Sequence, residues 1–212
     1  MKITDNNIID FFELVISEKH AEIVKLNSFL LGEKIIEESE EIDSIWKDVV
    51  DNHSRYDGKL KLIILAEAPL SPKKYFYENQ GTFLDSLRAL WGLKKYTGLP
   101  EILLKNRILI LDLYKYPIAS EFYKKDKELI LFNNDYVNKK IKFLRDKELI
   151  DDKTLFVFRY KELYNKRRLH MQSSLKDLNF VKESGQMVSL NCKEKPQKIS
   201  SIIVDILNDN YS

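Results

Sequence analysis

The sequence predicts an α/β protein: a three-layer α/β/α sandwich around a mostly parallel four-stranded sheet, preceded by an N-terminal helical extension. Three observations carry this. Leu60–Leu65, Arg107–Leu111 and Thr154–Phe158 are short runs, apolar almost throughout, as strands covered on both faces require. Helical patterns separate them, at Phe83–Trp91, Asp135–Asp146 and Lys161–Leu175, so the connections read as right-handed crossovers between parallel strands. No comparable strand-like run precedes residue 58, and the domains are therefore set at 1–58 for the helical extension and 59–212 for the α/β body.

The elements follow in order. Ile8, Phe11, Phe12 and Val15 share one helical face, behind the capping oxygens of Thr4, Asp5 and Asn6. A second helical stretch runs from Ser17 to Leu31, and Gly32 supplies the left-handed stop. Glu37, Glu38, Glu40 and Glu41 make an acidic face ahead of Ile42, Ile45 and Trp46. The polar segment Asp51–Gly58, with Asp57-Gly58 as a turn, closes the helical head. Beyond the third strand, Met187–Leu190 is the weaker candidate for a fourth, and Ile199–Leu207 for a closing helix.

Composition removes several function classes. The 212 residues are 44% hydrophobic and 32% charged, with 6 Gly and 5 Pro, which is a globular and not a fibrous or disordered balance. Cys192 is the single cysteine, so an internal disulfide and a cysteine-only zinc or iron–sulfur site are excluded. His20, His53 and His170 have no partners at ligand spacing; no metal and no cofactor are expected. A lone thiol, no basic leader ahead of an apolar run, and no apolar stretch of membrane-spanning length together point to the cytoplasm and away from a membrane.

The net charge of +2 hides an asymmetry. Residues 1–60 hold 7 Lys+Arg against 14 Asp+Glu, a charge of −7, which leaves +9 for the rest. Lys124-Lys125-Asp126-Lys127, Lys139-Lys140-Ile141-Lys142 and Lys166-Arg167-Arg168 concentrate the positive charge. Such a body attracts a polyanion, although charge alone fits an ordinary solvated helix face better. The acidic head is a candidate surface for a protein partner, or a mask over a basic groove.

Ligands of open α/β sheets bind beyond the carboxyl ends of the strands, so the residues leaving each strand matter most. The first strand exits into Ala66-Glu67-Ala68-Pro69, followed by Tyr75-Phe76-Tyr77 and Asn79-Gln80-Gly81-Thr82-Phe83. A carboxylate on a Pro-containing turn beside aromatics can orient a water and grip a flat base. The second exits into Asp112-Leu113-Tyr114-Lys115-Tyr116-Pro117, again an acid, aromatics and a Pro. Read singly, Glu67 is a turn acid, Asp112 a helix cap, and Phe76 and Tyr77 core cover; the shared pattern at two strand ends favours a site.

Ala66-Glu67-Ala68-Pro69 resembles the Gly-Glu-Ala-Pro-Gly first motif of the uracil-DNA glycosylase superfamily, and the Asp112–Pro117 segment is similar to the Asn-containing segment after that family's second strand. The resemblance covers residue 60 to the end. It implies hydrolysis of the N-glycosidic bond of a base extruded from DNA, or from RNA as the less favoured choice, without a lysine Schiff base. Glu67 matches the carboxylate that orients water toward C1′, and Phe76, or alternatively Tyr77, matches the aromatic stacked on the base. The main-chain amides at Ala66 and Ala68 would face the base, and Asp112 would read its edge. Asp112 stands where the iron–sulfur branch has Asn. An ionised Asp only accepts hydrogen bonds, so an amino-bearing ring or imino N–H suits it better than uracil. Leu190-Asn191-Cys192 lies where the family carries its final loop, and Asn191 is the candidate there, although no His-Pro-Ser type motif follows. That gap motivates the alternative: a catalytically silent member binding a nucleobase, nucleotide or nucleic-acid end.

Overall fold

A computed structural model describes residues 40–66, 87–88, 91–92, 99–113, 127–159, 177–183, 186–187, 190 and 196–208. The first described element is helix α1, residues 40–54. Its sequence sorts by helical spacing: Ile42, Trp46, Val50 and His53 are buried, while Glu40, Glu41, Ser44, Lys47, Asp48 and Asp51 are exposed. The helix thus continues past residue 50 into the polar segment, because His53 is drawn inside.

Strands β1 (Leu62–Ala66), β2 (Ile108–Asp112) and β3 (Leu155–Phe158) follow, each starting one or two residues later than its apolar run. Every residue of β1 and β2 is buried, so both faces of the sheet are covered. The sheet is all parallel, in the order β2-β1-β3-β4, with β4 only Asn179–Phe180. From β1 the chain steps one way to β2, then back across β1 to β3 and β4. With right-handed crossovers, that reversal lays the connections on opposite faces. The protein has the expected α/β fold.

Helix α2 (Leu99–Lys105) leads into β2 and helix α3 (Lys127–Asp146) joins β2 to β3. The sequence pattern missed α2, a seven-residue helix with Pro100 in its first turn, where a missing N–H costs nothing. It also started α3 eight residues late, at Asp135. The expected helices Phe83–Trp91 and Lys161–Leu175 fall largely or wholly outside the described residues, as do residues 1–39.

The fourth strand position differs from expectation. Asn179–Phe180 pairs with β3, its Phe180 ring stacked on Phe158 at 5.2 Å and tilted against Phe156 at 6.1 Å, while of the expected Met187–Leu190 strand Met187 pairs in a hairpin and Val188-Ser189 lie outside the described residues. Val181 N–H then donates to Phe156 O (2.9 Å). A separate antiparallel hairpin follows, β5 (Lys182–Glu183) with β6 (Gln186–Met187), after which Leu190 N–H returns to donate to Phe158 O at 2.9 Å. Helix α4 (Pro196–Leu207) closes the described chain, opened by proline where its fixed φ suits a first helical residue.

Ile42, Trp46 and Val50 of α1 belong to the same buried cluster as the strands and Val137, Ile141 and Leu144 of α3. The amino ends of the strands are pinned by Arg107, whose backbone lies in the left-handed region (φ 58°). Its Nη1 donates to His53 O (2.8 Å), its Nε to Lys59 O (3.1 Å) and its Nη2 to Gly58 O, fixing the turn between α1 and β1. Arg107→Ala should therefore cost about 3 kcal/mol in urea denaturation, since hydrogen bonds from a charged donor are the stronger class. Arg107→Gly should cost about 1 kcal/mol less, because glycine accepts the positive φ without strain.

Candidate functional site at the carboxyl edge of the sheet

Ala66 and Asp112, the last residues of β1 and β2, are register partners. Leu113 N–H extends the ladder by donating to Ala66 O at 3.0 Å. On the other side of β1, Arg159 N–H donates to Leu65 O at 2.9 Å, immediately after β3. Leu190 sits beside the end of β3 through its bond to Phe158 O. The chain segments that leave Ala66, Asp112, Phe158 and Leu190 therefore start from neighbouring points on one edge, adjacent strands being about 4.8 Å apart. The reversal of strand order also falls here, between β1 and β3, where open α/β sheets form a crevice.

Of the site residues expected from sequence, the structure brings Ala66 and Asp112 together. Glu67, Ala68, Phe76, Tyr77 and Asn191 lie outside the described residues. Glu67 follows Ala66 directly and Asn191 follows Leu190 directly, so the main-chain starting points of both are fixed.

Asp112 is 1% exposed. Successive strand side chains alternate faces, and its register with Ala66 puts the two on the same face. Lys140 of α3 is the nearby cation that the sequence counted among the phosphate-facing lysines. It is buried instead: its Nζ lies 2.9 Å from Asp43 Oδ1 of α1, 4.1 Å from the centre of the Trp46 ring and 4.6 Å from that of Tyr136. Tyr136 Oη donates to the same Asp43 oxygen at 2.9 Å. Burial lowers the Lys140 pKa, while Asp43 and, more weakly, Asp112 pull it back up. A buried ammonium persists only with such partners. Lys139 and Lys142 remain exposed.

Two cations escaped the sequence reading. Arg159 is half-buried, with its Nε closed off from solvent, at the start of the segment after β3; Arg88 is 1% exposed. The available signals were a charge directly after an apolar strand and an arginine inside Leu87-Arg88-Ala89-Leu90-Trp91. Among the described residues no three His, Cys, Asp or Glu side chains gather as metal ligands, and no helix is long and apolar enough to cross a membrane.

Comparison with protein families, curated proteins and solved structures gave no match.

Proposed function

We propose that the protein is a monofunctional DNA glycosylase of the uracil-DNA glycosylase type, hydrolysing the N-glycosidic bond of an extruded, damaged or modified base. One observation carries the reading. The segments that begin after Ala66, at Asp112 and after Leu190, far apart in sequence, start from the carboxyl edge of one parallel sheet, whose strand order reverses between β1 and β3. In this reading Glu67 holds a water near C1′ and takes its proton as the base leaves as an anion. The water oxygen bonds to C1′, and the main-chain amide of Ala68 faces the departing base, while that of Ala66 is taken up in the β1–β2 ladder. Phe76, or Tyr77 in its place, stacks on the base, which must first leave the duplex. Asn191 supports the leaving group, and the exposed lysines engage phosphate.

Duplex and single-stranded oligonucleotides carrying uracil, hypoxanthine, xanthine or a modified cytosine, followed by cleavage at abasic sites, test the proposal. Abasic product from at least one base is the expected result; none from any of them refutes catalysis. Asp112→Asn supplies a donor and an acceptor together, and should raise the preference for uracil over amino-bearing bases about tenfold in kcat/KM.

The lack of a His-Pro-Ser type motif after Leu190 favours a second reading, a catalytically silent nucleobase-, nucleotide- or nucleic-acid-binding protein. A ligand-induced rise in Tm without product would support it.

A further inference from the structure

His53, in the last turn of α1, is fully buried, and neither imidazole nitrogen makes a hydrogen bond. Its surroundings are hostile to a proton. Arg107, reaching in from the start of β2, is the charged group that acts on it, and it is a cation. The Ile108 main chain, the polar group alongside, only partly offsets it. The side chains of Arg55, Asp57 and Lys59 in the adjoining turn, and of Lys105 at the end of α2, are exposed. The same spot is the fastening point of the helix, because His53 O accepts from both Arg107 Nη1 (2.8 Å) and Tyr56 N–H (3.2 Å).

We propose that His53 is an acid-sensitive clasp: protonation of its imidazole releases the last turn of α1 and the 55–58 turn from the start of β2, while the sheet stays folded. A charged imidazole beside a guanidinium in a dry pocket, with only the Ile108 main chain alongside as a weak acceptor, is costly to keep. Residues 54–59 are exposed, so moving this segment hydrates the charge at less cost than unfolding the strands.

Desolvation, then the Arg107 charge, lower the His53 pKa from 6.5 to about 4 in the closed state. Open chains therefore bind the proton more readily than closed ones throughout that window. Closure is at full strength above pH 6.5, weakens as pH falls toward 4, and stops weakening below it. The open fraction should rise roughly tenfold per pH unit, roughly 300-fold in total.

Hydrogen exchange on the full chain between pH 7 and 4, corrected for intrinsic rates, reads this directly. The expected result is rising exchange in residues 50–60, retained protection in Leu62–Ala66 and Ile108–Asp112, and no rise in His53→Leu. With only three histidines in the chain, NMR titration of the His53 imidazole gives the matching protonation curve. If His53→Leu fails to fold, His53→Gln serves the same comparison. An unchanged pH profile in the folded variant, or simultaneous loss of protection in strands and turn, overturns the clasp.

Discussion

Trp46→Ala should lower the unfolding free energy by about 4 kcal/mol, at the upper end of what large-to-small core substitutions cost. Trp46 is 2% exposed, packs against Phe143 at 6.0 Å and caps the buried Lys140 ammonium at 4.1 Å. Its removal combines a cavity with the loss of a desolvated cation–π contact. The indole N–H has no hydrogen-bond partner, so no polar group is orphaned by the change. Trp46→Phe retains a ring over Lys140 and should cost only about 1 kcal/mol. Urea denaturation followed by circular dichroism measures both. A loss below about 1 kcal/mol for the alanine variant would show that α1 does not belong to the core. The same packing bears on the acidic head. A truncation that asks whether the head masks a basic groove must keep residues 40–54, because cutting at residue 50 removes Ile42, Trp46 and Val50 from the core.

Glu67→Gln should reduce abasic-site formation at least about 100-fold, the lower bound for removing a positioned general base. Glutamine preserves the length and planarity of the side chain, and its amide can still touch a water, but it cannot accept the water's proton as the glycosidic bond breaks. The loss should fall on kcat, with KM and urea stability nearly unchanged, since stacking and phosphate contacts are left in place. Single-turnover kinetics on the best oligonucleotide from the base panel make the measurement. A variant that retains full activity would remove Glu67 from the reaction.

Two short motifs suggested which chain segments belong together; the register of Ala66 with Asp112 and the return of Leu190 to Phe158 make their starting points neighbours. Lys140 shows where sequence proximity misleads. It stands between exposed Lys139 and a buried Ile141, and nothing in that string reveals that Asp43, 97 positions earlier, supplies its counter-charge. A lysine run looks solvated or nucleic-acid-facing until the partner helix is known.

The sequence by itself determined the α/β class, three of the four strands to within two residues, and the strand ends worth inspecting. Those features rest on local periodicity and turn chemistry, which neighbouring residues encode. Only the tertiary structure decided that α1 belongs to the core, that Asn179–Phe180 pairs with β3, and that Lys140 and His53 are buried. Each of those outcomes depends on contacts between segments dozens of residues apart, where ring packing and the cost of burying charge override what the local pattern favours.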